Sequence, residues 1–237
     1  MSEPIFRFRQ FDVRHDRCAM KVGTDGVLLG AWADVTDGRR ILDIGTGTGL
    51  VALMAAQRAP SAEVTGVEID EAAVCQARDN AARSPFARRI AVVRADIRQY
   101  TAPHPFDCIL CNPPFFSEDT LPDNPSRALA RHAALLGFEE LLTAVVRLLS
   151  PQGRFTVILP FAACSHFTTL AFYRGLFLAR QCSVRTVPRK APKRVLLTFV
   201  RSSSGPVTTE AETLVLQNPD GSRSEAYTEL TKAFYLW

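Results

Sequence analysis

The segment with the clearest chemical potential is Asn112-Pro113-Pro114-Phe115, which directly follows an apolar, β-rich run. Two consecutive prolines cannot continue a β-ladder or lie inside a helix, so they fix an extended backbone with carbonyls outside regular structure. The Asn112 side-chain oxygen and the Pro113 carbonyl can then accept both hydrogens of an exocyclic amine. The ring of Phe115 can stack on the attached base, a contact worth about 1–3 kcal/mol.

Two acceptors on one amine favour alkylation of its nitrogen. The N6 lone pair of an adenine is delocalised into the ring, which makes the amine a poor nucleophile. Hydrogen bonds from both amine hydrogens favour a pyramidal nitrogen, whose lone pair can attack an electrophilic methyl group in line. Because proton loss can follow the attack, no strong general base is required, and the protein contributes mainly positioning and electrostatics.

A second set of residues indicates a nucleotide site. Residues 43–49, DIGTGTG in one-letter code, form a glycine-rich turn between a strand and a helix, where a ligand can approach the backbone closely. Glu68, at the end of the next strand, can accept hydrogen bonds from both hydroxyls of a ribose. Asp96, just after the third strand, can accept from an adenine amino group. Because these acids follow successive parallel strands, we expect Asp43, Glu68 and Asp96 to lie at one edge of the sheet.

The elements that position these residues alternate between strand and helix. Strands are predicted at 40–44, 63–68, 90–94, 106–111, 154–159, 179–186 and 195–201, and helices at 50–58, 71–82, 138–149 and 165–176. This alternation predicts an α/β fold with a mostly parallel, seven-stranded sheet and helices on both faces. The last two strands are joined by a connection too short for a parallel crossover, so we expect a terminal antiparallel strand pair.

Two appendages flank the predicted core, which spans residues 39–201. Residues 1–38 begin with Phe6 and Phe8 in alternation, which suits a strand, and include a predicted helix at 25–32. Residues 202–237 begin with a loop and continue with a predicted strand at 213–217, a turn at 218–221 and a helix at 224–235. We expect this strand-turn-helix appendage to belong to the same domain as the core.

Composition excludes several classes of protein. The chain has 237 residues, of which 47% are hydrophobic and 22% charged, which excludes wholesale disorder, collagen-like and coiled-coil structures. No apolar run approaches the roughly 18 residues of a membrane helix, and the amino-terminal residues lack the apolar region of a signal peptide. These features predict a soluble, cytoplasmic protein.

Cysteine and histidine do not indicate a metal site. Cys108 and Cys111 form a C-x-x-C pattern inside a predicted strand, where positions three apart point to opposite faces. We therefore expect that they neither pair nor bind one metal. The four histidines, at positions 15, 104, 132 and 166, lack metal-ligand spacing as well.

The distribution of positive charge is more informative than its sum. The net charge is +4, but residues 171–201 contain eight Lys or Arg and no Asp or Glu. Much of this charge surrounds the connection between the last two strands, where it is predicted to bind RNA phosphates. The alternative is a solvated edge hairpin protected from aggregation by charge. The predicted RNA-binding residues are Arg185, Arg189, Lys190, Lys193 and Arg194.

These motifs resemble those of a known family. The turn at 43–49, Glu68, Asp96 and the segment 112–115 are similar to the successive motifs of S-adenosylmethionine-dependent class I methyltransferases that methylate amines. Residues 15–26, HDRCAMKVGTDG, and 224–235 resemble the bacterial valine-tRNA adenine-N6 methyltransferase family, whose members modify adenine 37 beside the anticodon. The resemblance implies a Rossmann-like class I methyltransferase fold, S-adenosylmethionine as cofactor and a tRNA substrate whose target base is flipped out. It implies no metal, membrane or obligate protein partner.

The resemblance also implies roles for individual residues. Gly23 and Thr24 would close over the cofactor from the N-terminal extension, with Lys21 nearby. Asn112 and Pro113 would hold the target amine beside Pro114, and Phe115 would stack on the base; many relatives have Tyr at this last position. The implied cofactor-binding residues are Lys21, Gly23, Thr24, Asp43, Gly45, Thr46, Gly47, Glu68, Ile69 and Asp96.

Three alternatives remain open at this point. The same motif can serve guanine-N2 methylation of rRNA or methylation of a protein glutamine. A nicotinamide-dependent oxidoreductase is disfavoured, because the glycine spacing is G-x-G-x-G rather than G-x-G-x-x-G and no Tyr-x-x-x-Lys pair is present. A non-catalytic RNA-binding scaffold is disfavoured by the presence of Asn112 and both prolines.

Overall fold

A computed structural model describes residues 5–18, 21–113, 136–201 and 207–236. Within these ranges the strands are β1 (Ile5–Arg7), β2 (Asp12–Arg14), β3 (Arg40–Ile44), β4 (Glu63–Glu68), β5 (Ile90–Arg94), β6 (Phe106–Cys111), β7 (Leu149–Pro160), β8 (Leu176–Arg185), β9 (Arg194–Arg201) and β10 (Glu210–Val215). The helices are α1 (Thr24–Trp32), α2 (Leu50–Arg58), α3 (Glu71–Arg83), α4 (Phe138–Leu148), α5 (Cys164–Phe172) and α6 (Glu225–Thr231).

The main sheet has the strand order β10-β8-β9-β7-β6-β3-β4-β5. Strands β3 to β7 pair in parallel, whereas β9 runs antiparallel to both β7 and β8. The predicted parallel sheet with a terminal antiparallel pair is therefore confirmed. An eighth strand, β10 from the C-terminal appendage, extends this sheet by pairing in parallel with β8 and so covers its edge.

The sheet separates two hydrophobic clusters. Helices α1 and α2 pack on one face, and α4 and α5 pack on the other, as the α/β pattern predicts. Cys108 belongs to the first cluster and Cys111 to the second. The two thiols of the C-x-x-C pattern therefore point to opposite faces, as expected from the two-residue period of a strand.

Local signals account for the helix ends. Asp70 caps α3 by accepting a hydrogen bond of 2.8 Å from the Ala73 backbone nitrogen, and Ser224 caps α6 through the nitrogen of Tyr227. Helix α5 ends at Phe172, four residues before the predicted boundary at 176. The chain reverses at Gly175, whose φ of 75° lies in the left-handed region that glycine adopts without strain.

Both chain ends pack on the same side of the sheet. The Arg9 backbone nitrogen donates to the Phe234 carbonyl at 2.7 Å, and the Phe8 ring stacks on Tyr235 with centroids 5.8 Å apart. The Trp32 indole nitrogen of α1 donates to Glu212 of β10 at 2.6 Å. The N-terminal extension and the C-terminal appendage thus share the hydrophobic cluster that covers α1 and α2.

The topology brings the predicted functional segments to one edge. Strands β3, β4 and β6 are parallel, so the glycine-rich turn, Glu68 and Asn112 follow their carboxyl ends at the same edge. Because β9 is antiparallel to β7, Arg194 pairs with Pro160 and the connection at 186–193 lies at this edge too. No helix in the described ranges is long and apolar enough to cross a membrane.

Candidate active site

The glycine-rich turn after β3 exposes its backbone at the carboxyl edge. Gly45 and Gly47 have φ values of 67° and 54°, a conformation that side chains with a Cβ rarely adopt. The Gly45 nitrogen donates to the Val67 carbonyl at 2.8 Å, which anchors the turn to β4. A ligand can therefore lie directly against main-chain atoms here.

The Glu68 carboxylate joins β4 to the glycine-rich turn. One oxygen accepts a 3.0 Å hydrogen bond from the Gly47 nitrogen, and the other accepts from the nitrogens of Ile69 and Asp70 at 2.8 and 3.0 Å. A carboxylate offers about four lone-pair sites, so capacity for a further donor remains. Such a fixed, half-buried carboxylate at a strand end suits the hydroxyls of a ribose.

Asp43 lies at the base of the site and is almost completely buried. Burial raises the pKa of its carboxyl from 3.8 to about 7, and the nearby charge of Glu68 acts in the same direction. The Thr46 hydroxyl opposes this rise by donating a hydrogen bond of 2.5 Å to the carboxylate. A cationic ligand group near Asp43 would favour its ionised form.

Asp96 lies at the same edge of the sheet, and its carboxylate is already hydrogen-bonded to Arg98. Arg98 donates from its side chain to both oxygens of Asp96 at 2.6 to 3.0 Å, and its backbone nitrogen adds a bond of 2.9 Å. These hydrogen bonds hold the pKa of Asp96 below its ordinary value. Arg98 was missed by sequence reasoning; its only signal is the opposite charge two residues after Asp96.

Asn112 and Pro113 line two adjoining cavities. The first cavity, of ≈ 240 Å³, is also lined by Glu68, Ile69, Asp96 and Arg98. The second cavity, of ≈ 440 Å³, is also lined by Lys21, Gly23, Thr24, Asp43 and Thr46. Gly45 and Gly47 line both. The structure therefore brings together every predicted cofactor residue and the first two residues of the amine-binding motif; Pro114 and Phe115 lie outside the described residues.

Two buried amides of α3 hold the N-terminal extension over this site. Asn80 accepts from the Arg14 nitrogen at 3.0 Å and donates to the carbonyls of Arg14 and Thr48 at 2.9 and 2.8 Å. Gln76 accepts from the Arg17 nitrogen at 3.0 Å. Gln76 and Asn80 lie four residues apart on the buried face of α3, and buried amides need hydrogen-bonding partners. The sequence therefore contained a signal for this contact, which was not recognised.

Helix α1 packs close to Asn112. A Cβ added at Gly26 would lie 3.9 Å from Asn112 Nδ2 and 3.0 Å from Leu50 Cδ2. The absence of a side chain at Gly26 therefore permits the close packing of α1 on Leu50 of α2, with Asn112 at ordinary contact distance. Gly26 belongs to the segment 15–26, but sequence reasoning assigned it no role.

The predicted RNA-binding residues fall into different environments. Arg189 and Lys190 are exposed on the β8–β9 connection, whereas Arg185 donates within this connection to the Pro188 carbonyl at 3.2 Å. Arg194 lines the second cavity, and its Nε donates to Asp25 Oδ2 at 2.8 Å. The connection thus places cations beside the cavity that contains Asn112.

The chemical groups that line the site suit S-adenosylmethionine. Glu68 provides a carboxylate for the ribose, the buried Asp43 suits an ammonium group, and exposed Gly45 and Gly47 permit close backbone contact. Among the described residues no group of three His, Cys, Asp or Glu side chains has the geometry of a metal site.

Comparisons with known proteins identify a family model and similar chains. The family model of the methyltransferase small domain matches residues 21–160. A Bacteroides thetaiotaomicron protein named tRNA1(Val) (adenine(37)-N6)-methyltransferase is 48% identical, and the alignment covers 100% of this chain and 99% of that protein. A protein of the same name from Tolumonas auensis is 46% identical, with coverage of 100% and 98%.

Solved structures show the same fold. A predicted O-methyltransferase of Agrobacterium tumefaciens superposes with a TM-score of 0.67 at 23% identity, covering 89% of this chain and 96% of the other. A TehB-like methyltransferase of Corynebacterium glutamicum gives a TM-score of 0.51 at 18% identity, covering 78% and 90%. The predicted class I methyltransferase fold is confirmed by this likeness.

Proposed function

The chain belongs to the tRNA1(Val) (adenine(37)-N6)-methyltransferase family and to the broader methyltransferase small-domain family, and on this premise we propose that it methylates N6 of adenine 37 in a valine tRNA, using S-adenosylmethionine. One observation carries the proposal: Asn112 and Pro113 lie where the first and second cavities meet. An amine bound there is next to both cavities. The protein acts in the cytoplasm, where its substrate is found.

Residues of both cavities would hold the cofactor. When bound, S-adenosylmethionine supplies an electrophilic methyl group on a sulfonium sulfur. In the first cavity, Glu68 would accept hydrogen bonds from the ribose, Asp96 would accept from the adenine amine, and the exposed Ile69 side chain would provide apolar contact. In the second cavity, Asp43 and the backbone of the glycine-rich turn would hold the methionine part, with Thr46 orienting the Asp43 carboxylate. Lys21, Gly23 and Thr24 close this part of the site.

The target adenine is bound through its exocyclic amine. The Asn112 side-chain oxygen and the Pro113 carbonyl would accept its two hydrogens; the roles of Pro114 and Phe115 stay predictions from the sequence. The lone pair of the nitrogen would thereby be available to form the new N–C bond while the S–C bond to the methyl group breaks and leaves its electron pair on sulfur, and the amine would then lose one proton to solvent. Residues that position two acceptors account for this chemistry without a dedicated general base.

The RNA backbone binds beside this pocket. The target nucleotide leaves its stack to reach Asn112, at low cost because an anticodon-loop base is nearly single-stranded. Arg185, Arg189, Lys190, Lys193 and Arg194 belong to a segment that ends at the carboxyl edge of the sheet, and Arg194 lines the second cavity. These cations bind phosphates of the loop.

Methyl transfer to defined RNAs tests the proposal. The purified chain is incubated with labelled S-adenosylmethionine and an unmodified valine tRNA transcript, and the nucleosides are identified by mass spectrometry. We expect N6-methyladenosine, and none in a control transcript with guanine at nucleotide 37. Parallel reactions contain rRNA and total protein. Label in N2-methylguanosine of rRNA or in a protein glutamine, with none in tRNA, would contradict the proposal.

A further inference from the structure

A third cavity of ≈ 450 Å³ adjoins the second cavity at the carboxyl edge of the sheet. The two cavities share Thr24, Asp25 and Arg194. The volume falls in the range of about 300–1,000 Å³ that is common for small-molecule sites. The methyl-transfer chemistry described above makes no use of this cavity.

The C-terminal appendage and the β8–β9 segment build the third cavity together. The backbone nitrogens of Leu216 and Gln217 donate to the carbonyls of Arg185 and Thr186, both at 2.9 Å. The Lys193 nitrogen donates to the Val184 carbonyl at 2.9 Å. Hydrogen bonds between main-chain atoms thus fix both walls, which indicates a preformed site.

The lining of the third cavity combines cations with an apolar floor. Lys193, Arg194 and Arg223 contribute positive charge, against one carboxylate from Asp25. Arg194 is paired with Asp25, while Lys193 is exposed and forms no ion pair with the described residues. Leu28, Val184 and Tyr227 line the cavity with buried apolar surface.

This combination matches one nucleotide of an RNA strand. Cations bind a phosphate, apolar and aromatic groups bind a base, and Thr186 and Gln217 offer hydrogen-bonding groups beside them. Thr24 and Arg194 line both the second cavity, which reaches Asn112, and the third cavity, so a strand whose target base reaches Asn112 would carry its neighbouring nucleotide past this shared wall. We propose that the third cavity binds the nucleotide adjacent to the flipped adenine. This inference rests on the proposed function and gives the C-terminal appendage a role in substrate binding.

Removing two cations tests the inference. Lys193→Ala combined with Arg223→Ala is compared with the parent for binding and methylation of a 17-nucleotide anticodon stem-loop. We expect about a tenfold increase in Kd and a salt dependence weakened by about one to two phosphate contacts. Affinity for S-adenosylmethionine, measured by calorimetry, stays the same, because both side chains lie outside the first and second cavities.

A matched control removes the same charge elsewhere. Arg88→Ala combined with Lys232→Ala also deletes two exposed cations, one of them from the appendage itself, and neither residue lines the third cavity. We expect this variant to bind the stem-loop like the parent. Equal weakening by both double variants would overturn the inference, because it would reflect overall charge.

Photo-crosslinking locates the neighbouring nucleotide directly. A stem-loop carrying 4-thiouridine next to the target adenine should crosslink to peptides within 184–194 or 216–227. Crosslinks only to other segments, in a complex that is still methylated, would overturn the inference and leave the proposed function intact. The inference would also be overturned if adenosine monophosphate bound the parent but not the variant with Lys193→Ala and Arg223→Ala, while both proteins bound the stem-loop equally well. The third cavity would then bind a free nucleotide and not the RNA strand. A parent protein that fails to methylate the stem-loop would contradict the proposed function itself.

Discussion

Arg194 Nε lies 2.8 Å from Asp25 Oδ2, although 169 positions separate the two residues in the sequence. Asp25 belongs to the first turn of α1, which begins at Thr24 directly after Gly23, and Arg194 begins β9. The ion pair therefore ties the segment proposed to close the cofactor site to the segment proposed to bind RNA. Because both side chains are about one-third exposed, the ion pair contributes little to the free energy of unfolding and mainly positions the two segments.

Substitutions in this pair should be non-additive. We expect Asp25→Asn and Arg194→Gln each to lower kcat/KM for tRNA about five- to tenfold, and the double variant to lose little more, because both remove one interaction. The free energy of unfolding should change by only about 0.2–1 kcal/mol. Steady-state kinetics and urea denaturation measure the two effects. Losses that multiply in the double variant would show that the residues act separately.

The amide of Asn112 is expected to contribute to the rate enhancement by holding the target amine. Asn112→Ala removes one of the two acceptors for the target amine, and we expect kcat to fall by about 100- to 1,000-fold. Single-turnover methylation measures this loss, and calorimetry with S-adenosylmethionine and tRNA checks that binding persists. A variant that retains the parent's kcat would refute the proposed role of the amide.

The buried Asp43 should make the stability of the ligand-free chain depend on pH. Its pKa is about 7 in the folded state against an ordinary 3.8, so between these values the folded state binds the extra proton. The free energy of unfolding therefore falls with rising pH through this window, as far as this group contributes. We expect Asp43→Asn to gain stability relative to the parent from pH 5 to pH 7.5. Denaturation curves at several pH values test this; a constant difference would contradict the raised pKa.

The role of Asp96 can be separated from general damage to the cavity. If Asp96 accepts the adenine amine of the cofactor, Asp96→Ala should weaken S-adenosylhomocysteine about tenfold, because a hydrogen bond to a charged group is worth about 1.5–3 kcal/mol. The inosine analogue lacks that amine and should lose much less. Calorimetry with both ligands gives the comparison. Equal losses would indicate that Asp96 mainly holds Arg98.

The sequence was sufficient for features that depend on local patterns. Strands 40–44, 63–68, 90–94 and 106–111 coincide with β3 to β6, because buried parallel strands are continuous apolar runs bounded by polar or turn residues. The sequence also predicted that Glu68 and Asn112 lie at the same edge of the sheet, since the carboxyl ends of parallel strands share one edge. Periodicity and topology thus predicted the sheet and the location of the site.

Contacts between distant segments could not be predicted from those patterns. The Asp25–Arg194 pair and the hydrogen bonds from Asn80 to Arg14 and Thr48 depend on how α1 and α3 pack on the sheet. The parallel pairing of β10 with β8 likewise depends on an edge that becomes available only after β8 and β9 have formed. No periodic pattern in the sequence indicates these contacts, so only the tertiary structure shows them.

The exposed cations of the β8–β9 connection give a last prediction. Arg189 and Lys190 lie exposed on the connection at the carboxyl edge that leads to Arg194 of the second cavity, so reversing both charges with Arg189→Glu and Lys190→Glu should weaken tRNA binding and flatten its dependence on salt, because fewer counterions are released. Arg83→Glu with Arg88→Glu is the matched control, since α3 ends and β5 begins at the opposite edge of the sheet. Binding measured from 50 to 200 mM salt compares the two. If both variants show the same slope, net charge alone attracts the RNA; a reduced slope only at 189 and 190 means that phosphates bind at this connection.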